Sequence, residues 1–176
     1  MHKAFITGIK GQYGENFISV MPNNLYGSND NFDLKNSHVL PALMRKVHEA
    51  KINNSKQVEV WGTGKPLREF LHVDDLVDAC LYLMNNINAD ELYNSGISHI
   101  NIGSGEEVSI KELAIMIKKV IDYKGDLVFN SDYPDGTPRK LLDVSRLNAM
   151  GWKSKIKLQD GLKSVYEWYL DNLPKD

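Results

Sequence analysis

Cysteine is almost missing: Cys80 is the only one in 176 residues. No internal disulfide can form, and the usage suits a reducing compartment. Long apolar runs are missing as well. No stretch approaches the roughly 20 residues that a membrane-spanning helix needs, and the N-terminus lacks the apolar segment and small-residue cleavage site of a secretory signal. The expectation is a cytoplasmic protein with no membrane partner. Charge of one sign is not in excess either, since 21 basic and 23 acidic side chains leave −2. No global field draws nucleic acid, so an anionic ligand has to be held by local cations. No His/Cys/Asp cluster has metal-ligand spacing, and no metal is expected.

What is present is ordinary for a globular chain: 42% hydrophobic and 25% charged residues, enough for one sizeable domain or a domain and a fragment. Short apolar runs KAFIT (3–7), FISVM (17–21), VEVW (58–61), REFLHV (68–73), HINI (99–102) and LVF (127–129) read as strands. Helical spacing appears over 37–52, with Val39, Leu40, Leu43, Val47 and Ala50 on one face. It recurs after Asp74 or Asp75 as a cap, with Leu76, Ala79, Cys80, Leu83 and Met84 inward. Ser109 and Glu112 form an S-x-x-E capping box ahead of Ile110, Leu113, Ala114, Ile117, Val120 and Ile121. A last helix carries Leu162, Val165, Tyr166, Tyr169, Leu170 and Leu173. Residues 85–98 read as a loop and SDYPDGTPRK as a long turn. Strands alternate with helices, which makes the class α/β. His72 and His99, both in strand-like runs, are expected to be buried and hydrogen-bonded.

Gly8, Gly11 and Gly14 follow the first strand at GxxGxxG spacing. A dinucleotide-binding unit begins with a strand, a glycine turn and a helix whose N-terminus faces the pyrophosphate. Here ENFISV follows Gly14 and reads as a strand, so the pattern alone is weak.

Three blocks, VMPNNLYGSNDNFDLKNSHVLPALMRK, VEVWGTGKPLREFLHVDD and PDGTPRKLLDVSRLNAMGW, resemble the GDP-L-fucose synthase family of extended short-chain dehydrogenases/reductases. The resemblance runs from Gln12 to about Leu173, and the R-x-F-x-H-V-x-D part is shared with many nucleotide-sugar epimerases. Residues 3–12 are more similar to the start of GDP-mannose 4,6-dehydratases. The resemblance implies the C-terminal half of an extended short-chain dehydrogenase: residual Rossmann-type strands over 1–36, an incomplete sheet, and a nucleotide-sugar-binding region over 37–176 as one compact unit. It also implies the chemistry. Members of this family reduce and epimerise GDP-4-keto-6-deoxy-mannose with NADPH. The 4-keto group acidifies C3 and C5 for a positioned acid/base pair, and hydride then reaches C4 while a Tyr-x-x-x-Lys pair supplies the proton.

Residue by residue, Pro22, Asn23, Asn24 and Leu25 match the P-T-N-L segment along the nicotinamide half of NADP, with Asn23 in place of Thr. His38 matches the general acid of epimerisation and also a cofactor contact. Lys46, Trp61, Arg68, Asp135 and Lys140 match the region that contacts the GDP-sugar; Lys46 stands where Arg is common, a point charge in place of a fork. Each has a plainer reading. His38 can be a helix cap, Trp61 core, Arg68 the ion-pair partner of Glu69 or Asp74, and Asp135 a turn former. Arg139 and Lys140 can be solvated charges or can face a pyrophosphate, and Cys80 reads as core.

None of the eight tyrosines has a lysine four residues on, so the Tyr-x-x-x-Lys pair is missing from this chain. An internal deletion joining the first strand to the substrate half is the expected explanation. It would leave residues 3–7 and 17–21 without most parallel neighbours, exposed or paired with another chain, hence a homo-oligomer. Three functional readings stand: an NADPH-dependent epimerase/reductase with negligible reductase activity in this form, a non-catalytic GDP-sugar-binding module, or an inert remnant.

Overall fold

A computed structural model describes residues 4–8, 16–34 and 36–173. In chain order the elements are β1 (Ala4–Gly8), β2 (Asn16–Pro22), β3 (Asn24–Tyr26), α1 (Val39–Ile52), β4 (Gln57–Trp61), β5 (Leu67–His72), α2 (Val73–Asn86) and α3 (Ala89–Asn94). They continue with β6 (Ile100–Ile102), β7 (Glu107–Ser109), α4 (Ile110–Ile121), β8 (Asp126–Asn130), β9 (Arg139–Lys140), α5 (Ser145–Ala149) and α6 (Leu158–Asp171). The chain folds as two compact units interleaved in sequence, so residues 37–176 contribute to both.

The first unit takes Met1–Leu25, Glu69–Glu106 and Leu141–Ile156. Its sheet has the order β1-β2-β6. β2 runs parallel to β6, with Val20 opposite Ile100, while β1 lies antiparallel on the other side of β2. Ile18, Val20, Ile100 and Ile102 sink into one core with Leu76, Ala79 and Leu83 of α2, Leu92 of α3, Leu147 and Trp152. The parallel pair and its covering helices are the α/β class that the alternating pattern predicts. Ala4–Gly8 pairs with residues 16–20, across the two runs expected to be exposed or to pair with another chain. That pairing satisfies one edge of each strand without a parallel neighbour. The Gly11 and Gly14 turn lies outside the described residues.

The second unit takes Tyr26–Arg68, Glu107–Lys140 and Lys157–Asp176. α1, α4 and α6 pack on one another, and β4 pairs parallel with β8, Trp61 opposite Asn130. Leu40, Leu43, Met44 and Val47 of α1 meet Leu113, Ile117 and Ile121 of α4 and Leu162 and Val165 of α6 in its interior. The capping box forms as the S-x-x-E spacing requires: Ser109 Oγ accepts from Glu112 N, and the Glu112 carboxylate accepts from Ser109 N.

Several expectations are corrected. The segment 85–98 is not all loop, because α2 continues to Asn86 and Asn88 then caps α3, its side chain accepting from Asp90 N. Neither Asp74 nor Asp75 caps α2; His72 does, its Nδ1 accepting from Asp74 N at 3.2 Å. Asp75 is buried and accepts from Lys155 N and Ile156 N. The long turn contains β9, which runs parallel to the start of β5. His72 is buried as expected, whereas His99 is exposed beside Ser98. Cys80 is half-buried against the core rather than within it, and Val39, Met84 and Leu170 face outward. The buried helix faces are thus narrower than the apolar stripes that announce them.

Candidate functional site

The second unit gathers most of the predicted ligand residues at one place. Trp61 ends β4 with 52% of its surface exposed, so it is not a core residue. Its Nε1 donates to Glu59 Oε1 at 3.0 Å, and Glu59 Oε2 also accepts from Asn130 Nδ2, which fixes the indole from behind. Lys46 Nζ lies 4.2 Å from the ring centroid, a cation–π contact. Tyr133 stacks on the same indole, centroids 4.5 Å apart and planes 11° from parallel. Partial burial pulls the Lys46 ammonium below its usual range, with Glu59 acting in the opposite sense.

The next residues build the turn that holds this group. Gly62 has φ +85°, and a Cβ there would collide with the Asp135 carboxylate. Thr63 donates to Asp135 twice, from its backbone N at 2.8 Å and from Oγ1 at 2.6 Å. These bonds, with Lys65 and Arg68 nearby, hold the Asp135 carboxyl below the ordinary aspartate range. Asp135 forms no turn of its own at 134–137 but clasps that segment to 62–64. Arg68 donates from Nη1 to Leu67 O at 2.7 Å, and its Nη2 lies close to where a side chain at Gly136 would begin. Pairing of β5 with β9 sets Lys140 opposite Arg68. Arg139 does not join them: it makes a two-pronged ion pair with Glu107, at 2.8 and 2.9 Å.

Pro22, Asn23, Asn24 and Leu25 belong to the first unit. Asn23 Nδ2 donates to Glu69 Oε2, Asn23 Oδ1 accepts from Asn24 N, and Asn24 Nδ2 donates to Glu69 O at 2.7 Å. Glu69 is 0% exposed and also accepts from Gly105 N and Leu142 N. Sequence reasoning passes over Glu69, Thr63, Glu59 and Tyr133. The only available signal was that Glu69 sits in a short strand directly before the apolar pair Phe70 and Leu71. His38 stands in the second unit as the N-cap residue of α1, exposed and without a capping bond from its side chain. It lies eight residues before Lys46, ~12 Å along the helix.

An exposed aromatic pair with Lys46 against it, and Arg68 beside Asp135 with Lys140 opposite Arg68, suits a ligand with a flat ring and phosphates. Residues 3–103 match the NAD dependent epimerase/dehydratase family. The chain belongs to that family. It is 54% identical over 176 residues to GDP-L-fucose synthase 1 of Arabidopsis thaliana, covering 97% of this chain and 52% of that protein. Among solved structures, a GDP-6-OMe-4-keto-L-xylo-heptose reductase from C. jejuni superposes with TM-score 0.83 at 44% identity, over 91% of this chain and 55% of that one. A GDP-L-fucose synthetase from Naegleria fowleri bound to NADP superposes with TM-score 0.80 at 31% identity, over 88% of this chain and 47% of that one. The chain thus spans about half the length of the relatives it matches, and the α/β architecture is that of the extended short-chain dehydrogenases.

For the epimerase/dehydratase family the implied cofactor is NADP, the nucleotide carried by the N. fowleri structure. The fit here is poor. Asn23 and Asn24 turn their side-chain amides onto Glu69 rather than outward to a nucleotide. These side chains do not by themselves make a dinucleotide site.

Proposed function

We propose that this chain is the GDP-sugar-binding part of a nucleotide-sugar epimerase/reductase and that, by itself, it binds the GDP moiety without reducing a sugar. The observation that carries this reading is the single cluster of Lys46, Trp61, Tyr133, Arg68 and Asp135 in the second unit. Trp61 and Tyr133 offer the ring surface, Arg68, Lys46 and Lys140 offer charge to the diphosphate, and Asp135 holds the turn that aims them. Relatives named for both fucose and heptose chemistry leave the sugar open. Reduction requires a proton donor at C4 and a bound dinucleotide. No tyrosine in the chain has a lysine four residues on. His38 remains the candidate acid for proton exchange at C3 or C5; its test is entry of solvent deuterium into a 4-keto GDP-sugar, and no entry removes that role.

Calorimetric titration with GDP and with NADPH separately tests the proposal. Saturable heat with GDP alone is expected, weakened about 10- to 100-fold by Arg68→Ala through loss of a charge-assisted bond. Heat with both nucleotides would favour the intact enzyme, and heat with neither would leave an inert remnant.

A further inference from the structure

A second concave surface lies in the same unit on the outer side of α4, built by residues that take no part in the GDP cluster. Lys111, Ile115, Lys118 and Lys119 fall at i, i+4, i+7 and i+8 along the helix and so share one face. The inward residues Leu113, Ala114, Ile117 and Ile121 occupy the opposite face. Across from them stand Leu127 and Phe129 of β8, and Tyr123 and Lys124 close one end. Together they line a groove of about 480 Å³, within the range of small-molecule sites. Gly64, at φ +76°, packs against the Phe129 ring and the Lys111 Cβ and fixes that wall in place.

The chemistry of this groove is specific. Its floor is apolar and partly open, with Ile115 49% exposed although it could have been a polar residue on a solvent face. Its rim is four lysines against one acid, and that acid, Asp122, pairs with Lys124. Among the described residues no carboxylate lies within ion-pair distance of Lys111, Lys118 or Lys119. In a chain whose overall charge is −2, this is a local positive field over an apolar slot, which attracts an anion carrying an apolar body. The flat, part-exposed Phe129 ring favours an aromatic body over a flexible one, because a rigid ring loses less conformational freedom on binding.

We propose that the groove between α4 and β8 is a binding site for a small aryl anion, a ring system bearing one carboxylate or sulfonate. The ring lies on Ile115, Leu127 and Phe129, and the anionic group meets the ammonium groups of Lys118 and Lys119. The site is independent of the GDP cluster, so occupancy of one leaves the other open.

The test is calorimetry of the whole chain with 2-naphthalenesulfonate, with octanoate and inorganic sulfate as comparisons and with GDP added in competition. Saturable binding of the naphthalenesulfonate is expected, weakening as salt rises, at least ~10-fold tighter than sulfate and undisturbed by GDP. The double variant Lys118→Glu with Lys119→Glu, checked for native circular dichroism, is expected to lose at least ~10-fold in affinity. Ile115→Glu, at an exposed position that the fold does not depend on, is expected to do the same. Absence of saturable binding, tighter binding of octanoate, displacement by GDP, or affinity unchanged in both folded variants would each overturn the proposal.

Discussion

His48 shows how one buried side chain ties stability to pH. It sits in α1 with 5% of its surface exposed, its Nδ1 3.0 Å from the Tyr166 hydroxyl and its Nε2 without a hydrogen-bond partner among the described residues. Burial lowers its pKa from the ordinary 6.5, so the folded state holds it neutral while the unfolded chain takes up a proton first as the pH falls. Stability from this group is therefore complete above 6.5 and declines below it. Thermal melts between about pH 7 and 5 are expected to show a loss of stability that His48→Phe reduces; an equal loss in the variant would contradict this. The flanking residues do not separate His48 from His99, because each has one apolar and one polar neighbour, Val47 and Glu49 or Ile100 and Ser98, yet one is buried and the other exposed. The GDP-cluster residues differ in the same way. Trp61 and Arg68 carry motifs that point to them, whereas Tyr133 and Thr63 gain their places only when the segment 134–136 folds back on 62–64.

Helices with strong periodicity and caps were legible from spacing alone. α4 begins at Ser109 because the capping box satisfies donors that would otherwise be orphaned. The short elements β3, β7, β9, α3 and α5 were not legible, since two to six residues carry too little periodicity and are held by partners distant in sequence. α6 gives a sharper test of such long-range control. Gly161 lies inside this helix, where alanine normally gains about 0.5–1 kcal/mol. A Cβ there would collide with the hydroxyl of Tyr26, which is itself buried. Gly161→Ala is expected to destabilise by roughly 1–3 kcal/mol, the usual result of overpacking, and Tyr26→Phe in the same chain is expected to relieve part of it. A stabilised Gly161→Ala protein in chemical denaturation would show that the ring moves aside freely.

The two interleaved units divide the labour. One builds the mixed β1-β2-β6 sheet and ties the 22–25 edge to Glu69, and the other presents the cluster at Trp61. Among the described residues no helix is long and apolar enough to cross a membrane. The outer edge of β1 has no strand beside it among the described residues, and an unpaired edge invites another chain. Self-association through β1 is our expectation, and light scattering that finds only monomer at high concentration would reject it. The central claim, however, concerns the GDP cluster. Its most direct test follows the three indole Nε1–H signals by ¹⁵N NMR as GDP is added, with Trp61 assigned by its loss in Trp61→Phe. The Trp61 signal is predicted to shift saturably while those of Trp152 and Trp168 stay in place; a Trp61 signal that does not move at saturating GDP would contradict the account.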